Sequence, residues 1–174
     1  MSAREDTLSH ETLTRVLDYN PATGVFTWKA PLSNRVKAGD VAGVLDSHGH
    51  RLIKVDGTRY SAHRLAWFYV HKVWPTNEID HKNLVKDDNR IENLREATHQ
   101  QNVRNITKKS HNKTGFKGVM IHPAYRDKKY KKYVAQITVD GIPKYLGLFD
   151  TPEEAHEAYV KASIRHHKEF GRSE

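Results

Sequence analysis

The residues that could carry chemistry are Asp80-His81, then Asn93, then Asn102. Hydrolysis of a phosphodiester makes two demands that these residue types can meet. A base must take a proton from the attacking water, and a cation must offset the charge growing on the phosphate and on the leaving oxygen. An unperturbed imidazole titrates near pH ~6.5, so a neutral ring is available at neutral pH. A hard cation such as Mg²⁺ prefers carboxylate and amide oxygens, and Asp80 and Asn102 supply one of each. The spacing leaves a second reading open. Neighbouring residues on a strand point to opposite faces, so Asp80 and His81 flank one phosphate only where the strand ends or bends. Otherwise they form a surface Asp-His pair near two solvated asparagines.

The elements that must position these residues can be read around them. Residues 78–81 read as a strand and 94–97 as a short return strand. Between them lies a polar loop containing Asp87-Asp88-Asn89. Thr98 with Gln101 three residues on is a capping-box pattern, opening a helix that runs to about residue 105. Upstream, residues 61–70 hold His63, Leu65, Ala66, Trp67, Phe68 and Tyr69 and read as a short buried helix, ended before Pro75. Asp56-Gly57 lies between strand-like runs at 52–55 and 58–60, a tight hairpin signal because both turn positions need positive φ. Ser9 caps a first helix with Leu13, Val16 and Leu17 on one stripe, broken at Asn20-Pro21. Residues 25–28 read as a strand, and Gly39 and Gly43 mark a loop.

Composition narrows the partners. The chain has 174 residues, 37% hydrophobic and 29% charged, with a formal net charge of +8 and no cysteine. A low apolar share favours small modules over one large core. The excess of Lys and Arg favours polyanionic partners: DNA, RNA or an anionic membrane. Without cysteine there is no disulfide and no thiolate-held zinc, so apolar packing must hold the fold and no structural zinc is expected. No apolar run reaches the length of a membrane span, and the first residues lack a signal-peptide pattern. A cytoplasmic protein is expected.

From residue 104 to residue 132 the composition turns basic, with Arg104, Lys108, Lys109, Lys113, Lys117, Arg126, Lys128, Lys129, Lys131 and Lys132 against the single acid Asp127. Residues 106–114 are read as a linker. Residues 116–121, 133–139 and 144–149 then read as three strands, with Asp140-Gly141 as a second tight turn. Thr151-Pro152-Glu153-Glu154 starts a helix with Thr at N-cap, Pro at N1 and Glu at N3. Ala155, Ala158, Tyr159 and Ala162 follow at helical spacing.

Residues 61–105 resemble the HNH module of phage and intron-encoded homing endonucleases. The resemblance rests on Ala62-His63-Arg64-Leu65-Ala66-Trp67, Glu78-Ile79-Asp80-His81, Asp88 to Arg95, and Ala97-Thr98 followed by Gln101-Asn102 and Asn105. It implies an α+β chain whose core is a ββα-metal (His-Me finger) fold. It also implies that His81 is the general base, that Asp80 is a metal ligand, and that Asn93 holds the hairpin loop and so orients the histidine. Asn102 takes the last motif position, as a metal-binding Asn where other subgroups carry His. That Asp/Asn pair implies Mg²⁺ or Mn²⁺, one cation per site. His63 recurs in the resemblance but reads as structural or as close to the DNA backbone.

Residues 114–162 resemble the ethylene-response-factor (APETALA-type) DNA-binding domain. The matching stretches are Gly115 to Val119, Tyr133 to Ile137, Tyr145 to Thr151, and Glu153-Glu154-Ala155 with Ala158-Tyr159. This implies a three-stranded sheet laid in the major groove with a helix behind it, and DNA-facing roles for Lys117, His122, Gln136, Thr138 and Tyr145. The chain has Met120, His122 and Thr138 where the family carries arginines, so the resemblance implies phosphate binding more firmly than base reading.

The expected organisation is an N-terminal α+β extension over 1–60, an HNH core over 61–105, a linker over 106–114 and a DNA-binding domain over 115–174. In the extension, Arg35, Lys37, Arg51 and Lys54 are candidate DNA contacts. The expected activity is site-directed cleavage of double-stranded DNA by a homing-type enzyme of a phage-infected bacterial host. The enzyme acts as a monomer or weak homodimer and nicks one strand per active site. Two alternatives stay open: a DNA-binding regulator without catalysis, and an RNA-directed module.

Overall fold

A computed structural model describes residues 7–31, 33–105, 112–123 and 132–167. The run of basic residues from Lys128 to Lys131, Arg126 and most of the expected linker lie outside the described residues. The chain folds as two compact units, Met1–His99 and Gln100–Glu174. Both mix short helices with small antiparallel sheets, the α+β class expected from the sequence.

The first unit opens on helix α1 (His10–Val16), whose N-cap Ser9 accepts a hydrogen bond from the Thr12 amide at 3.1 Å. The helix stops earlier than Asn20-Pro21. Leu17–Asn20 leaves it as strand β1, which pairs antiparallel with β2 (Val25–Trp28). The alternation of Leu17 and Tyr19 decides this: a strand buries both, whereas Asp18 and Asn20 stay exposed. Strands β3 (Val44–Leu45), β4 (Arg51–Val55) and β5 (Thr58–Ser61) form a second sheet in that order. The β4–β5 turn is the expected one, with Asp56 at φ 45° and Gly57 at φ 81°.

Helix α2 (Ala62–His71) follows directly and buries Ala62, Leu65, Ala66 and Phe68. It ends at Lys72 in the left-handed conformation, φ 61°. Arg64 then ties the descending chain back, donating to the carbonyls of Pro75 and Asn77 at 3.0 and 2.9 Å. Trp74 stacks on Phe68 and Tyr60. Strands β6 (Glu78–His81) and β7 (Leu94–Ala97) pair antiparallel, placing Asp80 opposite Arg95 and His81 opposite Leu94. A single apolar core runs from Leu8 through Phe26, Ile53, Tyr60 and Leu65 to Leu94. It draws on residues before and after residue 60 alike, so the segment 7–60 and the hairpin that follows share one interior. Tyr60 and Phe68 are core residues, as their type and spacing imply.

Helix α3 (His99–Asn105) comes next in the chain and falls almost wholly in the second unit. That unit is a three-stranded antiparallel sheet, β8 (Val119–Ile121), β9 (Tyr133–Val139) and β10 (Ile142–Phe149), with β9 central, followed by helix α4 (Pro152–His167). The first strand starts three residues later than its composition implies. Gly118 stands at φ 75°, turned under the ring of Tyr159 where a Cβ would collide, and the chain before it is held in turns by Asn112 and Thr114. Asp140-Gly141 makes the β9–β10 turn at φ 52° and 80°. Thr151 caps α4 through its hydroxyl, 3.2 Å from the Glu154 amide. Val119, Ala135 and Ala155 form the centre of this unit's core, with Phe116, Tyr133, Leu146, Phe149 and Ala158 packed around them. Small alanines on the helix allow that close approach to the sheet.

Candidate active site

The end of β6 holds the two residues of highest chemical interest, and both are buried: Asp80 at 3% exposure and His81 at 6%. Burial of adjacent strand residues requires protein on both faces of the hairpin, and the two side chains do meet different partners. Asp80 Oδ2 accepts from Arg95 Nε at 2.9 Å and from Nη2 at 2.8 Å. This ion pair spans the β6–β7 ladder, where directly opposite residues share a face. His81 turns the other way, toward α2, where its ring meets His63 edge-on at 5.1 Å between centroids.

The polar loop between the strands is built around Asn93, also buried at 6% exposure. Its Oδ1 accepts from the Asn83 amide at 3.1 Å, and its Nδ2 donates to Asn83 Oδ1 at 3.0 Å and to the Asp88 carbonyl at 2.8 Å. One side chain thus closes both ends of the loop. Asp88 adds a fork to Arg90, Nε at 2.8 Å and Nη2 at 2.7 Å, and accepts from Asn83 Nδ2 at 2.6 Å. The Arg90 hydrogen bonds hold the Asp88 carboxyl down at about 2.

Asn89 has a contact that its sequence context does not signal. It is 1% exposed, and its Oδ1 lies 3.3 Å from His81 Nε2. Its Nδ2 is committed to the Asp87 carbonyl at 3.2 Å, so the oxygen faces the ring. An oxygen there can only accept, which puts the imidazole proton on Nε2 and leaves the lone pair on Nδ1. Burial lowers the His81 pKa, opposed in part by this hydrogen bond. The ring is therefore neutral, oriented and basic at one known atom.

The N-terminal segment holds Asn89 in place. Tyr19 Oη donates to the Asn89 carbonyl at 2.7 Å, and burial raises that phenol to about 12, keeping it protonated as a donor. Gly24, at φ 74°, brings the β1–β2 turn against the backbone of Asn89 and Arg90 so closely that a Cβ would overlap both. Arg51 reaches the same loop with a fork onto Asp87 at 2.8 and 2.7 Å. Arg51, a candidate DNA contact by its type, thus has its guanidinium engaged with this loop.

Two further histidines lie beside His81. His50 precedes β4 and His63 sits in the first turn of α2. One ring nitrogen from each of His50, His63 and His81 can be chosen so that all lie within 4.8 Å of one another. No periodicity marks this cluster in the sequence, since its members come from three elements. His99 sits apart from it, 3.0 Å from Glu78.

Arg35, Lys37 and Lys54 lie in the first unit, and the other residues named from the sequence are in the second. Asn102 is half-buried on α3. Gln136, Thr138 and Tyr145 share one face of the sheet: Gln136 is opposite Tyr145 in the ladder, and Thr138 is two residues along β9. That face is opposite the one on which Ala135 and Ile137 are buried. Thr138 and Tyr145 are exposed there, and Met120 on β8, opposite Val134, is exposed on the same face. Lys117 and His122 are half-buried in the turns flanking β8. The Lys117 carbonyl accepts from His156 Nδ1 at 3.1 Å, and the His122 amide donates to the Lys132 carbonyl at 2.7 Å.

Residues 60–104 match the family model of the HNH endonuclease. This segment is a nuclease domain. The match covers α2, the β6–β7 hairpin with its loop, and nearly all of α3, and it contains Asp80, His81, Asn89, Asn93 and Asn102. Among solved structures, the chain is similar to one described as DNA binding and cleavage by the HNH homing endonuclease I-HmuI. The identity is 20% over 87% of this chain and 85% of that one, with a TM-score of 0.39. No curated protein matches the chain. Among the described residues no helix is long and apolar enough to cross a membrane.

Proposed function

We propose that the protein is a site-directed DNA endonuclease of the homing type, with His81 as general base. The observation that carries this reading is the His81 ring itself, buried within the HNH-matched segment with Asn89 Oδ1 3.3 Å from its Nε2. Nδ1 takes the proton of the attacking water, and the Nε2–H···O bond to Asn89 strengthens as the ring becomes cationic. Asn93 and Asp88 hold the loop that carries Asn89, so they act as positioning residues.

The donor set suits a hard divalent cation. Asp80 offers a carboxylate whose rotamer is fixed by Arg95, and Asn102 offers an amide oxygen by its place in the motif. Oxygen donors of this kind favour Mg²⁺ or Mn²⁺. When bound, such a cation supplies neutralisation of charge developing on the scissile phosphate.

In this reading the second unit is the APETALA-type DNA-binding module. Its support is the three-stranded antiparallel sheet backed by one helix, with Gln136, Thr138 and Tyr145 on the face away from the buried one. A strand face of that kind fits the major groove. Lys117 and His122 lie at its margin and contact phosphates. The net charge of +8 favours the same polyanion. One active site per chain makes the product a nick, left by a monomer or weak homodimer in a phage-infected bacterial host.

The test compares wild type with His81→Ala on duplex DNA containing the target, with Mg²⁺. Cleavage falls by about 10²–10⁴-fold, the usual worth of a general base, and DNA binding is retained. If both proteins bind and neither cuts with Mg²⁺ or Mn²⁺, the endonuclease reading is wrong.

A further inference from the structure

We propose that His50, His63 and His81 form a transition-metal site that takes Zn²⁺, separate from the hard-cation donors Asp80 and Asn102, and that its occupation switches cleavage off. The inhibitory half rests on the reading of His81 as general base; the binding half does not.

Three observations converge on the site. One ring nitrogen of each already lies within 4.8 Å of one on each of the others, with ring centroids 5.1 Å apart for His63 and His81, 5.5 Å for His50 and His63, and 6.1 Å for His50 and His81. A tetrahedral zinc with Zn–N near 2.0–2.1 Å needs nitrogens roughly 3.3–3.4 Å apart, so side-chain rotation of about 1 Å closes the set. His63 Nδ1 is shut off from solvent and has no hydrogen-bond partner among the described residues. A buried nitrogen in that condition costs free energy, and a metal bond relieves it. Asp46 Oδ2 stands 3.9 Å from His50 Nδ1, the kind of carboxylate that orients a metal-ligating imidazole from behind. Asp46 is itself fixed by the amides of His48 and His50 at 2.8 and 2.9 Å.

The donor chemistry selects the ion. Three imidazoles with no carboxylate among them suit zinc and its transition-metal neighbours and give Mg²⁺ nothing it prefers. Burial holds all three rings toward the neutral, ligating form. His81 has one lone pair, at Nδ1, once Nε2 donates to Asn89. Taking zinc and taking a proton from water both need that lone pair, so the two exclude each other.

The experiment titrates Zn²⁺ into the full chain by calorimetry with Mg²⁺ in excess, and follows Co²⁺ by its visible absorption. Wild type takes up one equivalent with a tetrahedral-type cobalt spectrum. His50→Gln and His63→Gln, both checked for folding by tryptophan fluorescence, bind at least tenfold more weakly. In a cleavage assay, Zn²⁺ stops wild type despite excess Mg²⁺, while His50→Gln keeps its Mg²⁺-supported cleavage and becomes at least tenfold less sensitive to zinc. Equal zinc affinity in wild type and both variants overturns the site. Equal zinc sensitivity of cleavage in wild type and folded His50→Gln overturns the switch. If wild type does not cut DNA with Mg²⁺ or Mn²⁺, the endonuclease reading fails, and the calorimetry still decides the metal site.

Discussion

At the scale of single residues, the proposed role of His81 as general base depends on one amide. Asn89 faces Nε2 with an oxygen because its nitrogen is occupied elsewhere, and the Asn89 carbonyl is in turn held by Tyr19. Removing that oxygen frees the ring to rotate and to choose the other tautomer, without altering the base itself. We expect Asn89→Ala to lower single-turnover cleavage by roughly 10–100-fold, the usual effect of losing a partner that orients a catalytic histidine. DNA affinity should stay unchanged. A loss of binding equal to the loss of cleavage would assign Asn89 to the fold of the loop rather than to the aim of the ring.

At the scale of elements, the β6–β7 hairpin and its loop are carried by the β1–β2 turn. Gly24 allows the turn to touch the Asn89–Arg90 backbone, since its φ of 74° and the absence of a Cβ are both required there. The Ile91 amide reaches the Pro21 carbonyl across the same contact at 3.4 Å. Gly24→Ala should destabilise the first unit by about 1–3 kcal/mol, from left-handed strain together with the overlap. The urea midpoint of tryptophan fluorescence reads this directly, because Trp28, Trp67 and Trp74 all belong to that unit. An unchanged midpoint would mean that the turn and the loop do not hold each other. The same contact explains why residues 7–60 share a core with the nuclease hairpin: they are the wall against which the loop is set.

At the scale of the whole molecule, buried neutral histidines make stability depend on pH. Burial pushes His63 down from 6.5 to about 3, and the neighbouring His81 and His50 charges act in the same direction. The unfolded chain therefore binds a proton below pH 6.5 that the folded chain refuses until about pH 3. Stability is at full strength above that window and falls as pH drops through it, by up to about 1.4 kcal/mol per pH unit for one such group. In a chelating buffer, the urea midpoint of the first unit should fall steadily from pH 7 to pH 4. His63→Gln should flatten that slope. A midpoint flat across this range in wild type would show that His63 takes up its proton in the fold as readily as in the unfolded chain. The second unit holds no tryptophan and does not contribute to this signal.

Much of the local structure was legible in the chain because it depends on neighbours in sequence. Ser9 and Thr151 cap helices, Asp56-Gly57 and Asp140-Gly141 turn hairpins, and residues 78–81 and 94–97 pair as strands, each for reasons contained within a few residues. The strand Leu17–Asn20 was hidden because its pairing partner, not its own propensity, chooses it over a continued helix. The site divides the same way. Asp80, His81 and Asn93 could be singled out because the HNH resemblance names them, whereas their types and spacing alone left a surface pair and solvated asparagines open. That Asn89 orients the ring, that Arg51 braces the loop rather than facing solvent, and that His50 and His63 stand beside His81 are matters of tertiary packing. Those contacts join residues from separate elements, and nothing within a short window of sequence encodes the distance between them; only the apolar core that presses the elements together does.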